Sequence, residues 1–261
     1  MATRTALITG ASAGIGLSLA RVFARKGHDV ILVARSADKL NALAADISAK
    51  HKVKATAIAL DLMVDGAAQT LCDELARRNL TVDILVNNAG FATYGLFKET
   101  DTQKEIELLH LNIITLTHLT KLLLPAMLAR GDGKILNLGS TGSFAPAPMT
   151  AVYCASKAYV LSFSEALATE LDGTGVSVTM LAPGPTASDF QSRAAMHDSK
   201  LVQSGMMDSD TVAEVGYRAL MAGKRVSVPG MRNKVQVALM GLLPRPMLAR
   251  MALNMQQRVG H

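Results

Sequence analysis

Two hydrophobic periods alternate along the 261-residue chain. Short apolar runs of five to eight residues read as strands buried on both faces of a sheet, and longer stretches with a repeat near 3.6 read as helices. The pattern predicts strands at 5–9, 30–34, 53–60, 82–86, 134–138, 176–181 and 226–228. Between them it predicts a helix from the end of the loop at 10–16 through about 26, and helices over about 37–50, 65–79, 102–129 and 151–171. Regular alternation of this kind predicts an α/β fold: a doubly wound, seven-stranded parallel sheet of Rossmann type, with helices on both faces and right-handed crossovers. Repeats, low-complexity tracts and linkers are not seen, so residues 1–261 are expected to form one domain.

In such sheets ligands bind beyond the carboxyl ends of the strands. The residues with distinctive chemistry fall at those ends: Gly10–Gly16, Arg35, Asp61, Asn88–Gly90, Ser140 and Pro183–Thr186. Gly10-Ala11-Ser12-Ala13-Gly14-Ile15-Gly16 joins the first strand to the first helix. Its glycines allow a tight turn and close approach to a pyrophosphate, and the helix N-terminus offers free N–H groups. An acid at the end of the second strand would bind the ribose hydroxyls of NAD. Arg35 stands there instead, and a guanidinium suits the 2′-phosphate of NADP, so NADP(H) is the expected cofactor.

Tyr153 and Lys157 lie four residues apart in helical sequence and share one face. Lowering a phenol by about three units needs about 4 kcal/mol. One ammonium about 4 Å away supplies roughly that much in a partly screened site. The pair is therefore expected to act as a general acid/base near neutral pH, with Lys157 drawing the phenol down. Ser140 lies thirteen residues upstream, just past a strand.

At this point the chain resembles the short-chain dehydrogenase/reductase family, single-domain branch, across about 5–186. The resemblance rests on Thr9–Gly16, Asp61-Leu62, Asn87-Asn88-Ala89-Gly90, Asn112, Ser140, Tyr153 with Lys157, and Pro183-Gly184. It implies that Tyr153 donates the proton to a ketone, that Lys157 holds the nicotinamide ribose, and that Ser140 hydrogen-bonds the substrate oxygen. It implies further that Asn112 holds a water linked to Lys157. Asp61 and Leu62 would flank the adenine, Asn88, Ala89 and Gly90 would line the cofactor, and Pro183, Gly184 and Thr186 would sit near the nicotinamide. The resemblance also implies a homodimer or homotetramer, paired through the long helix and the one carrying Tyr153.

Composition bounds the rest. A formal charge of +6 is unevenly placed: the last acid is Glu214, and every Lys or Arg after it is unopposed in sequence. With four Tyr, six Phe and no Trp, and no binding motif, nucleic acid is not an expected partner. Cys72 and Cys154 suit a reducing compartment, and the N-terminus runs directly into a strand, so a cytoplasmic protein is expected. No uninterrupted apolar run reaches the eighteen or so residues of a membrane span. His110 and His118 have no ligand cluster in sequence, so no metal is expected.

Residues 187–207 are expected to cover the substrate, with Phe190, Met196, Met206 and Met207 adapting to an apolar ligand. In 231–261, Val235, Val237, Leu239, Met240, Leu242 and Leu243 make a segment apolar nearly all round, which implies burial. Met247, Leu248, Met251 and Met255 then share one face, with Arg250, Asn254 and Arg258 opposite. This tail resembles those of bacterial reductases grouped near hydroxysteroid and long-chain 3-oxoacyl reductases, which implies a bulky apolar ketone or alcohol as substrate, such as a 3-oxoacyl thioester or a steroid-like ketone. Two other readings stay open: a non-enzymatic NADP-binding sensor or scaffold, and a membrane-surface lipid-binding protein touching lipid through the C-terminal helix.

Overall fold

The computed structural model describes residues 3–187 and 205–256. Seven strands form one parallel sheet in the order β3-β2-β1-β4-β5-β6-β7. They are β1 (Thr5–Thr9), β2 (Asp29–Ala34), β3 (Ala55–Ala59), β4 (Ile84–Asn87), β5 (Gly133–Leu138), β6 (Val176–Leu181) and β7 (Val226–Ser227). The order reverses between β1 and β4, which run parallel with Ala6 beside Ile84 and Ile8 beside Val86. That reversal opens the crevice where the site lies.

Successive strand residues point to opposite faces, so each apolar run feeds two cores. Ala6, Ile8, Val30 and Leu32 pack beneath helices α1 (Gly14–Arg25) and α2 (Ala37–His51). Leu7, Ile31, Val33 and Leu85 pack on the other face, against α3 (Ala67–Arg77) and the long helix. Phe23 of α1 is fully buried, and its truncation to Ala would cost about 3–5 kcal/mol.

The long helix is three pieces: α4 (Thr102–Leu109), a π-helical turn (His110–Thr115) and α5 (Leu116–Arg130). By length and composition it could cross a membrane, although its sequence is interrupted by charged and polar residues. Leu108, Leu119 and Met127 on its inner side are nevertheless buried. Asp101 caps α4 by accepting a hydrogen bond from the Lys104 N–H at 2.8 Å. Helix α6 (Ala151–Glu170) packs on β6 and the turn after β5. Among the described residues three further helices follow: α7 (Ser209–Met221), α8 (Met231–Met240) and α9 (Arg245–Gln256).

The tail departs from its expected burial. No residue of α8 is buried, and on α9 Leu248 is buried while Met247, Met251 and Met255 are exposed. A break over 241–244 leaves two short helices lying on the body, each presenting only one side to it. Residues 188–204, which hold most of the expected substrate cover, lie outside the described residues. Thr186 and Met207 pair as a parallel bridge at the two ends of that segment.

Candidate active site

The phosphate loop is held by one hydroxyl. Thr9 at the end of β1 donates to the Val86 carbonyl at 3.2 Å and accepts from the N–H groups of Asn88 and Ala89 at 3.0 and 2.9 Å. The Asn88 side-chain amide donates back to the Thr9 carbonyl at 2.8 Å and the Gly10 carbonyl at 3.3 Å. Asn88 thus ties β4 to β1. Gly10 has φ +67, and a Cβ there would sit 2.8 Å from the Asn88 amide nitrogen. Gly16 needs no unusual φ; it needs room, because its Cβ would lie 2.3 Å from the Gly10 carbonyl oxygen.

Helix α1 begins at Ala13 with no side-chain cap and no acid in its first turn. Its leading N–H groups are therefore offered to an anion. By contrast Asp101 and Asp208 close the starts of α4 and α7. A crevice of about 350 Å³ runs beside Ser12, Ala13 and Gly14 and also touches Arg21 and Lys39. These two bases were not singled out in the sequence, because they belong to helix faces with no motif. Arg35 is exposed at the end of β2. Among the residues expected at the adenine, Asp61 accepts a hydrogen bond from the Met63 N–H at 3.0 Å. Leu62 is buried, and its carbonyl accepts from the Thr115 hydroxyl at 2.8 Å.

At the other end, Ser140 follows β5 in extended backbone and starts a 3₁₀ turn over Thr141–Ser143. The Gly142 N–H donates to its hydroxyl at 3.0 Å, and its own N–H donates to the Ser143 hydroxyl at 3.2 Å. Ser140 and Tyr153 are joined by a side-chain hydrogen bond. The Lys157 ammonium is buried and donates to the Leu138 carbonyl at 2.7 Å. It lies 5.8 Å from the centre of the Tyr153 ring.

The electrostatics run opposite to the expectation that Lys157 draws the phenol down. Burial is the largest influence on Tyr153 and pushes its phenol above the ordinary range; the Ser140 hydrogen bond opposes this only in part. Burial also pushes Lys157 down, to about 8. The amine's hydrogen bond goes to a backbone carbonyl, so desolvation dominates both groups. The result at pH 7 is a neutral phenol, hydrogen-bonded to a serine, one turn from a charged amine.

Asn112 sits in the π turn, 1% exposed. Its amide donates to the Phe91 carbonyl and the Ser156 hydroxyl, each at 3.1 Å, and its oxygen accepts from the Phe91 N–H at 3.3 Å. Ser156 in turn donates to the Tyr153 carbonyl at 2.7 Å. The side chain of Asn112 therefore braces the Tyr153 helix against the loop after Gly90. A Cβ on Gly90 would lie 2.7 Å from the Asn112 oxygen and 3.6 Å from the Lys157 nitrogen. Cys154 is buried beneath the serine turn, 2.9 Å from where a Gly142 Cβ would stand. Pro183 accepts the Thr141 N–H at 2.9 Å, and Thr186 donates to the Gly184 carbonyl at 2.9 Å. Ile15 and Ala89 stay partly exposed.

Residues 4–198 match the short chain dehydrogenase family. The chain belongs to the short-chain dehydrogenase family. It is an oxidoreductase fold with a Rossmann-type sheet that binds a nicotinamide cofactor. A very-long-chain 3-oxoacyl-CoA reductase of Phaeosphaeria nodorum is 39% identical over 178 residues, 66% of this chain and 52% of that protein. The chain thus spans about half the length of such relatives. Sulfoacetaldehyde reductase 2 of Chromohalobacter salexigens is 39% identical over 186 residues, covering 70% of this chain and 73% of that one. A Sphingobium yanoikuyae short-chain dehydrogenase solved with NADPH superposes with TM-score 0.80 at 32% identity, covering 92% of this chain and 94% of that one. A bulky-bulky ketone specific alcohol dehydrogenase from Comamonas testosteroni superposes with TM-score 0.77 at 30% identity, covering 93% and 94%.

Proposed function

We propose that this short-chain dehydrogenase is an NADPH-dependent reductase of bulky apolar ketones, running between ketone and secondary alcohol. The observation that carries the reading is the single crevice edge with two ends. One end is the uncapped start of α1, suited to a dinucleotide pyrophosphate; the other is Tyr153, hydrogen-bonded to Ser140 and followed one turn later by Lys157.

A nicotinamide cofactor held there would supply the hydride that the carbonyl carbon takes up. As negative charge grows on the substrate oxygen, Ser140 and Tyr153 donate hydrogen bonds to it, and the Tyr153 proton transfers to give the alcohol. The Tyr153 phenol is neutral at pH 7 and so holds the proton that the transfer needs. Lys157 carries its proton at neutral pH and stabilises the phenolate left behind. Asn112 positions the Tyr153 helix through Ser156. Arg35, exposed at the end of β2, supplies positive charge for the 2′-phosphate of NADP; Arg21 and Lys39 line the crevice beside Ser12–Gly14 together with Asp210. Gly10, Ser12, Ala13, Gly14, Ile15 and Gly16 hold the pyrophosphate; Asp61, Leu62, Asn88, Ala89, Gly90, Pro183, Gly184 and Thr186 line the rest of the dinucleotide.

The bulky substrate is supported by the ketone-specific relative at 30% identity and by the acyl-CoA reductases. We also infer a cytoplasmic homodimer or homotetramer. The test is NADPH oxidation with a panel of steroid-like, diaryl and 3-oxoacyl thioester ketones. Tyr153→Phe is expected to lower kcat by at least about 10² while leaving NADPH binding nearly intact; surviving turnover refutes the assignment. Arg35→Asp is expected to move preference toward NADH, and a wild type that prefers NADH refutes the cofactor choice.

A further inference from the structure

We propose that α8 and α9 form a docking surface for an anionic lipid bilayer. The two helices leave exposed a set of large apolar side chains at helical spacing. On α8 and just past it these are Met231, Val235, Leu239 and Leu242; on α9 they are Met247, Met251 and Met255. Each is between 40% and 80% exposed. Four-residue steps place each set along one stripe. Asn233 on the opposite side of α8 faces the body of the protein, and on α9 Leu248, at the edge of the methionine stripe, is buried against it. Seven exposed large apolar groups on two consecutive helices are not the scattered singles of an ordinary surface.

Charge decides the occupant. Lys234 and Arg250 flank the stripes, Arg245 starts α9, and the chain has no Asp or Glu after Glu214. A second copy using the same patch would bring these bases against themselves with no acid on either helix to pair with them. An anionic bilayer offers what both features need: an apolar interior for the stripes and negative headgroups for the bases. The helices also reach the substrate end of the site. Asn233 lies 2.7 Å from where a Cβ on Gly184 would stand. The Gln256 amide donates to the Thr150 hydroxyl at 3.3 Å, and Tyr94 donates to the Gln256 carbonyl. Thr150 is the residue from which the Tyr153 helix starts. A bilayer under this surface would lie beside helices that touch Gly184 and Thr150.

The experiment is co-sedimentation of the full chain with vesicles of phosphatidylcholine alone or with 30% phosphatidylserine. The wild type is expected to bind the anionic vesicles at least about tenfold more tightly than the neutral ones, and to release in high salt. Leu239→Asp combined with Met251→Asp is expected to weaken binding about tenfold or more while leaving mass and melting temperature unchanged. A wild type that stays in the supernatant with anionic vesicles overturns the proposal. So does a double variant that binds vesicles as before yet loses oligomer mass, since that would make the surface a contact between copies. The readout needs no turnover, so its failure is separate from failure of the reductase reading.

Discussion

At the residue scale, Tyr153 and Lys157 hold opposite protonation tendencies for the same reason. Each loses water, and each is pushed toward its neutral form. This has a signature in stability. Lys157 ionises near 10.5 when unfolded and near 8 when folded. Between those values the unfolded chain binds more protons, so stability rises with pH across the window. Below pH 8 the full burial penalty applies, about 3 kcal/mol for a shift of this size. Tyr153 acts in the other sense above pH 10: the unfolded chain loses its phenolic proton first, and stability falls. In urea unfolding, the wild type is expected to gain roughly 2–3 kcal/mol relative to Lys157→Met between pH 7 and pH 10. Differencing the two proteins cancels the other titrations. A constant difference across that range would mean Lys157 is not desolvated as described.

At the element scale, the seam between β1 and β4 depends on Thr9. Its hydroxyl accepts from both Asn88 and Ala89 N–H groups. Thr9→Val keeps the shape and strands both donors. It is expected to cost about 2–4 kcal/mol in urea unfolding and to raise KM for the cofactor more than it lowers kcat. A variant as stable as the wild type would show that the loop holds itself. Thr9 also marks where the sequence stops being legible. The strands at 5–9 and 176–181 match their predicted bounds, because apolar runs flanked by glycine or polar residues read directly. The site residues fall together because parallel strands deliver their carboxyl ends to one edge. Thr9, Ser143 and Ser156 act through partners distant in sequence or through local turns, and a lone hydroxyl carries no such information. The π turn at His110–Thr115 is equally silent, since one extra residue in a turn leaves composition unchanged. The tail was misread because an apolar composition predicts that a surface needs covering and does not say by what.

At the scale of the whole molecule, two exposed apolar surfaces differ in charge and should therefore differ in partner. Helices α8 and α9 carry Lys and Arg and no Asp or Glu. The long helix exposes Ile106 and Ile114, 55% and 53% accessible, among Lys104, Glu107 and Lys121. A face with both signs can meet a copy of itself without net repulsion, and an isologous contact places each acid within reach of the partner's base. Self-association is therefore expected through the long helix, which runs beside α6. The helix also carries Asn112, so the same contact would stiffen the π turn that braces the Tyr153 helix. Ile106→Glu with Ile114→Glu is expected to convert the dimer or tetramer to a smaller species by light scattering. It is also expected to lower the melting temperature at dilute concentration and to leave vesicle binding through α8 and α9 intact. A wild type that is monomeric at working concentration, or a double variant that keeps the wild-type mass, would move the contact elsewhere. Loss of vesicle binding in the same variant would mean that the two surfaces act as one.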